Sequence, residues 1–131
     1  MSDVAPVRGV IVAHGTMAQG LADAIRAISG IGDDVLVPLS NEGKGPDAIL
    51  AELDRIAGDG PVVIFTDLAT GSCALCARKA CLDHGERIVV FGTNLPMLLD
   101  FVFHRELPLE ELVTRLLAKG RDAVTSSLPA D

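Results

Sequence analysis

The chain has no tryptophan, no tyrosine and only 4 phenylalanines in 131 residues. That scarcity removes the aromatic platform on which single-stranded nucleic acids stack. Basic residues are also few: Lys+Arg 11 stand against Asp+Glu 18, a net charge of -7. A chain so acidic is not built to track a phosphate backbone. No apolar run approaches the roughly 18–20 residues that span a bilayer. The opening Met1-Ser2-Asp3-Val4-Ala5-Pro6 lacks a basic stretch followed by an apolar one, so no secretion signal is expected. The 3 cysteines are an odd number set close together, which is not a disulfide framework. A reducing, cytoplasmic setting is the expectation.

What the chain does have is a 49% hydrophobic content, arranged in short blocks. That length and content suit one domain with a real core, spanning residues 1–131. Val7–Ala13, Val35–Leu39, Pro61–Thr66 and Arg87–Gly92 are apolar runs rich in β-branched residues, as in strands covered on both faces. Between them lie helical stripes. Leu21, Ala24, Ile25 and Ile28 form the first, stopped by Gly30 and Gly32, and Ile49, Leu50, Leu53 and Ile56 form the second, opened by Pro46. A third helix is expected from about Cys73 to His84, a fourth from Pro96 to about Phe103, and a last one on Leu109, Leu112, Val113, Leu116 and Leu117 with Gly120 as its stop. Pro38 puts the second strand at an edge or at its end. Strict alternation of strands and helices implies an α/β fold, a three-layer, doubly wound and mainly parallel sheet of four strands. Arg121–Leu128 carries a weak β signal in Val124-Thr125.

Ligands of open parallel sheets bind beyond the carboxyl ends of the strands. At that edge stand His14-Gly15-Thr16, Ser40-Asn41-Glu42, Asp67 to Ser72 and Thr93-Asn94. If the first and third strands are neighbours, His14 and Asp67 come within hydrogen-bond reach. A carboxylate that accepts from one imidazole nitrogen leaves the other free as a nucleophile. Gly71 lets backbone approach a bound group, and Ser72, at a helix start, can hold phosphoryl oxygens at the positive helix end. That set suits phosphoryl transfer through a phosphohistidine, with no metal or other cofactor required.

Simpler readings exist for each residue. A histidine after a strand is often a loop or capping residue, Asp67 can cap a turn, and Gly71-Ser72 is a common helix entry. His84 and His104 near helix ends read as structural cations. Cys73-Ala74-Leu75-Cys76 at a helix start has the placement of a redox pair, which makes a thiol oxidoreductase the competing class. A metal site joining Cys73, Cys76, Cys81 and His84 fails on distance, because Cys73 and His84 lie roughly 16 Å apart along a helix. Among alanines and leucines, Cys76 and Cys81 serve as small apolar fillers.

These residues resemble the mannose-family EIIA domain of the bacterial sugar phosphotransferase system. Val10-Ile11-Val12-Ala13-His14-Gly15 is similar to the family's strand ending in the phosphorylated histidine, and Phe65-Thr66-Asp67 with Gly71-Ser72 to its aspartate loop. Thr93-Asn94-Leu95-Pro96-Met97-Leu98 resembles its Asn-hydrophobic-Pro-Met segment, and Gly120-Arg121 also fits. The resemblance implies that His14 accepts a phosphoryl group from phospho-HPr and passes it to an EIIB partner. Asp67 would orient the ring, while Gly15, Thr70, Gly71 and Ser72 would surround the phosphoryl group. It further implies a homodimer that exchanges a C-terminal strand, for which Arg121–Leu128 is the matching stretch.

The chain departs from the family pattern in the aspartate loop. Where the family usually carries Gly-Gly-Ser followed by Pro, this chain has Thr70-Gly71-Ser72-Cys73, and Ala69 or Leu68 replaces a family aromatic. The phosphotransfer subunit of dihydroxyacetone kinase shares the fold and is the second resemblance. It ranks lower because Ser40-Asn41-Glu42-Gly43-Lys44-Gly45 differs from that group's second connection. A regulatory domain that takes up phosphate without passing it to an EIIB is a third reading.

Overall fold

The computed structural model describes residues 5–128. Four parallel strands, β1 (Arg8–Ala13), β2 (Leu36–Ser40), β3 (Val62–Thr66) and β4 (Arg87–Val90), alternate with five helices. These are α1 (Met17–Ser29), α2 (Pro46–Ala57), α3 (Ser72–Cys81), α4 (Leu95–Phe103) and α5 (Leu109–Asp122). The sheet order is β2-β1-β3-β4, with Val12 of β1 opposite Thr66 of β3 and Leu39 of β2.

Side chains alternate across a strand, so the unbroken apolar run of β1 feeds two cores. Ile11 and Ala13 point into one, shared with Phe65, Val90 and the inner faces of α1, α4 and α5. Val10 and Val12 point into the other, shared with Val62, Ile64 and the inner faces of α2 and α3. The expected three layers are therefore present. Phe65 and Phe101 meet edge to face at 5.3 Å and anchor the first core. Gly9 is set by this packing: a Cβ there would stand 2.8 Å from Leu36 and 2.9 Å from Phe101. No helix is long and apolar enough to cross a membrane among the described residues.

The boundaries differ from the sequence expectation in informative places. α1 turns Ala18, Ala22 and Ile25 inward and leaves Ile28 exposed, so Ile28 is not part of the core stripe. β2 continues past Pro38 to Ser40. It is an outer strand, where a missing N–H need not cost a ladder bond. β4 stops at Val90, level with Phe65 near the end of β3. α3 ends at Cys81 rather than near His84, because Leu82 is extended and Asp83 takes a left-handed conformation with φ 62°. Gly120 does not stop α5, which runs on to Asp122. Its role is close approach: a Cβ at Gly120 would fall 2.6 Å from Met97 Cε, and its carbonyl accepts from Asn94 Nδ2 at 2.8 Å.

Asn94 also caps α4, its Oδ1 accepting from Met97 N at 3.1 Å. One amide thus starts α4 and ties it to α5. Beyond Asp122 the chain to Leu128 makes no strand pairing, and Val124 and Leu128 are exposed. A lone strand has no partner with which to form a ladder, so the β signal of Val124-Thr125 is not expressed within one chain.

Candidate functional site

The connection leaving β1 enters α1, on one face of the sheet, and the one leaving β3 enters α3, on the other. Adjacent strands whose connections diverge open a crevice at their carboxyl ends. His14 follows the last residue of β1 and Asp67 the last residue of β3, and both stand at this crevice.

The two side chains meet. His14 Nδ1 lies 2.7 Å from Asp67 Oδ2, and the same oxygen accepts from the His14 backbone N–H at 3.0 Å. Asp67 Oδ1 accepts from Leu68 N, also at 3.0 Å. Burial pushes the Asp67 carboxyl up in pKa. The His14 backbone N–H, the His14 ring, the ring's charge and the Leu68 N–H outweigh it, and the net direction is down. Asp67 is held ionised and can only accept. In the neutral ring Nδ1 therefore carries the proton, and Nε2 presents its lone pair. The His14 side chain is 45% exposed and that of Asp67 only 9%, so the orienting group is sheltered while the ring is open to visitors.

Gly71 precedes α3 with φ 93° and ψ -177°, a conformation that only glycine adopts easily. A Cβ there would sit 3.9 Å from His14 Cε1 and Nε2, so Gly71 lies on the free-nitrogen side of the ring. No side chain caps α3, which leaves its first N–H groups, beginning near Ser72, free for an anion. Thr70 is exposed in the loop just before. Gly15 serves differently. Its φ is 58°, its N–H donates to Asn41 Oδ1 at 3.1 Å, and its carbonyl accepts from Ser40 Oγ at 2.8 Å. Asn41 and Ser40 thus lock the turn after His14, a role the sequence pattern did not single out. Arg78 similarly braces the aspartate loop by donating to Ala69 O at 3.0 Å, while its guanidinium covers the Phe91 ring at 4.4 Å.

Cys73 reaches the same crevice from α3. It is buried, and its sulfur, one His14 nitrogen and one Asp67 oxygen all lie within 4.8 Å of one another. The sequence signal is adjacency to Ser72, but only the approach of β1 to α3 brings Cys73 to the histidine. All 3 cysteines are free. Burial pushes the thiols of Cys73 and Cys76 up in pKa, the opposite of what an attacking thiolate needs. His84 is exposed in a turn, at the end of the sheet away from the crevice. His104 packs beside Asp100, which pairs with Arg115 at 2.8 Å. Neither histidine joins the site.

The family model for EIIA-man, described as the PTS system fructose IIA component, matches residues 9–117. The chain belongs to that family. The mannose/sorbose-specific IIA subunit of the phosphotransferase system from Enterococcus faecalis is 28% identical, with a TM-score of 0.83 over 95% of this chain and 98% of that one. The phosphotransferase system component EIIA from Streptococcus agalactiae shares the fold at 21% identity, with a TM-score of 0.85 over 92% and 96% of the two chains. The PTS IIA protein associated with the fucose utilization operon of Streptococcus pneumoniae does so at 20% identity, with a TM-score of 0.78 over 94% of each. The EIIA resemblance seen in the sequence is therefore correct, and neither the kinase-subunit reading nor the thiol oxidoreductase reading is favoured. Asn94 and Met97 join α4 to α5, both standing against Gly120.

The Asp67 contacts give a pH dependence with a definite sign. Folding lowers the carboxyl pKa, so as pH falls the unfolded chain takes up the proton first. The stability Asp67 contributes is complete above the ordinary carboxylate range and drains away as pH drops through the folded value, below about 4. Urea unfolding at several acid pH values should show wild type losing stability more steeply than Asp67→Asn in that window. A constant gap between the two proteins across it would contradict the assignment.

Proposed function

We propose that this EIIA-family protein is a cytoplasmic phosphocarrier that accepts a phosphoryl group on His14 from phospho-HPr and passes it to an EIIB partner, in sugar uptake or its regulation. The observation that carries this reading is the 2.7 Å contact of Nδ1 with a sheltered carboxylate, which leaves Nε2 exposed beside the start of α3. The Nε2 lone pair attacks phosphorus, the bond from phosphorus to the donor nitrogen breaks, and its electron pair returns to the donor's imidazole. The His14 ring then carries positive charge, and Asp67 stabilises it through the Nδ1 proton. The first N–H groups of α3, with Ser72, Thr70 and the open space at Gly71, receive the equatorial oxygens. Passing the group to EIIB reverses these events with a new acceptor.

Incubation with phosphoenolpyruvate, the general phosphotransferase enzyme and HPr should put one acid-labile phosphoryl group on the wild-type chain and none on His14→Ala. Asp67→Ala, with the ring free to turn, should be phosphorylated slower on the order of 10²-fold. Undiminished labelling of His14→Ala would reject His14 as the acceptor.

The resembled family's exchanged dimer fits the two features left open at one side of the sheet. Among the described residues the outer edge of β4 is unpaired, and the segment after Asp122 leaves Val124 and Leu128 exposed. In a homodimer, Arg121–Leu128 would add a strand against a second copy. Equilibrium sedimentation should give a dimer for the whole chain and a monomer for one ending at Asp122. Equal masses for both would remove the exchange.

A further inference from the structure

We propose that His14, Asp67 and Cys73 form a site for one zinc ion, and that zinc bound there blocks phosphorylation of His14. The blocking half of this statement rests on the phosphocarrier reading; the binding half does not.

The donors are chemically distinct and already gathered. One imidazole nitrogen, one carboxylate oxygen and one thiol sulfur lie within 4.8 Å of one another. Zinc bonds of about 2.0–2.3 Å in a tetrahedron require ligand separations of roughly 3.3–3.8 Å, so the 2.7 Å contact between His14 and Asp67 has to widen, while no pair of donors starts farther apart than 4.8 Å. A mixed nitrogen, oxygen and sulfur set favours a borderline-soft ion over magnesium or calcium, which prefer oxygen alone. Three protein ligands leave the fourth position for water, on the open side where the ring is 45% exposed. Asp67 and a Cys73 thiolate together carry two negative charges, which balance the ion.

The proton balance is simple. Burial and the nearby Asp67 charge keep the free Cys73 thiol protonated. Zinc displaces that proton to solvent as the Zn–S bond forms, and no electrons change hands. Either ring nitrogen gives the same consequence. Bound through Nε2, the lone pair that would attack phosphorus is used up. Bound through Nδ1, the neutral ring must carry its proton on Nε2, which again has no lone pair to offer.

Metal-free protein titrated with zinc against a chromophoric chelator should bind one ion per chain. Cobalt(II) in place of zinc should give the thiolate-to-metal charge-transfer band of a single Co–S bond, a readout on wild type alone. Cys73→Ser should lose that band and bind zinc at least about tenfold more weakly, and His14→Ala should also weaken it, while Cys81→Ser keeps both properties. Zinc should halt HPr-dependent labelling of wild type, and a chelator should restore it. In metal-free buffer Cys73→Ser should still be labelled and should need at least about tenfold more zinc for the same inhibition. Absence of the cobalt band, or zinc binding indifferent to both Cys73→Ser and His14→Ala, would overturn the site. Wild type labelled in metal-free buffer but blind to zinc would sink this proposal and leave the phosphocarrier standing. Zinc binding that depends on Cys73 in a chain HPr never labels would support the site and reject the phosphocarrier.

Discussion

The contact between His14 Nδ1 and Asp67 Oδ2 is the constraint on which the site depends. An imidazole alone is an ambiguous group, because its two nitrogens trade a proton freely. The sheltered carboxylate removes the ambiguity. It takes three hydrogen bonds, two of them from backbone N–H groups, so its position is set by the main chain at the ends of β1 and β3. The parallel pairing of those strands therefore reaches the reactive nitrogen in a short series of steps. Ladder register places Asp67 beside His14, Asp67 fixes the proton on Nδ1, and Nε2 is left bare next to the start of α3.

The rest of the fold serves that arrangement by keeping its parts still. Helices pack on both faces, so β3 and all of β1 beyond Arg8 are buried and cannot slip in register without exposing one of two cores. Ser40 and Asn41 fasten the turn after His14, and Arg78 fastens the loop after Asp67. Each loop at the crevice is thus held by a neighbouring element. Gly71, at a positive φ of 93°, lets backbone pass close to the ring, where a Cβ would stand 3.9 Å from His14 Nε2.

Much of this was legible in the sequence. Four β-branched runs alternating with amphipathic stripes imposed an α/β sheet, and the rule for parallel sheets put His14 and Asp67 on one edge. Their actual contact required β1 and β3 to be neighbours, which the sequence left conditional. Periodicity could not assign Gly120, because a glycine that ends a helix and one that admits a neighbouring helix look alike until Met97 is seen against it. Ile28 misled because its spacing fits a stripe that α1 presents one residue round, on Ala18, Ala22 and Ile25. The neighbours of Cys73 along α3 do not reveal its chemical setting, which comes from His14 and Asp67 across space. The strand tendency of Val124-Thr125 is not met within one chain, since a strand needs a second edge to exist.

The protonation pattern of the His14 ring decides which nitrogen can attack, and nitrogen-15 NMR of the imidazole reads it directly. The neutral ring should show a protonated Nδ1 and a bare Nε2, with phosphorus coupled to Nε2 after labelling through HPr. A neutral ring protonated on Nε2, or phosphorus found on Nδ1, would contradict it.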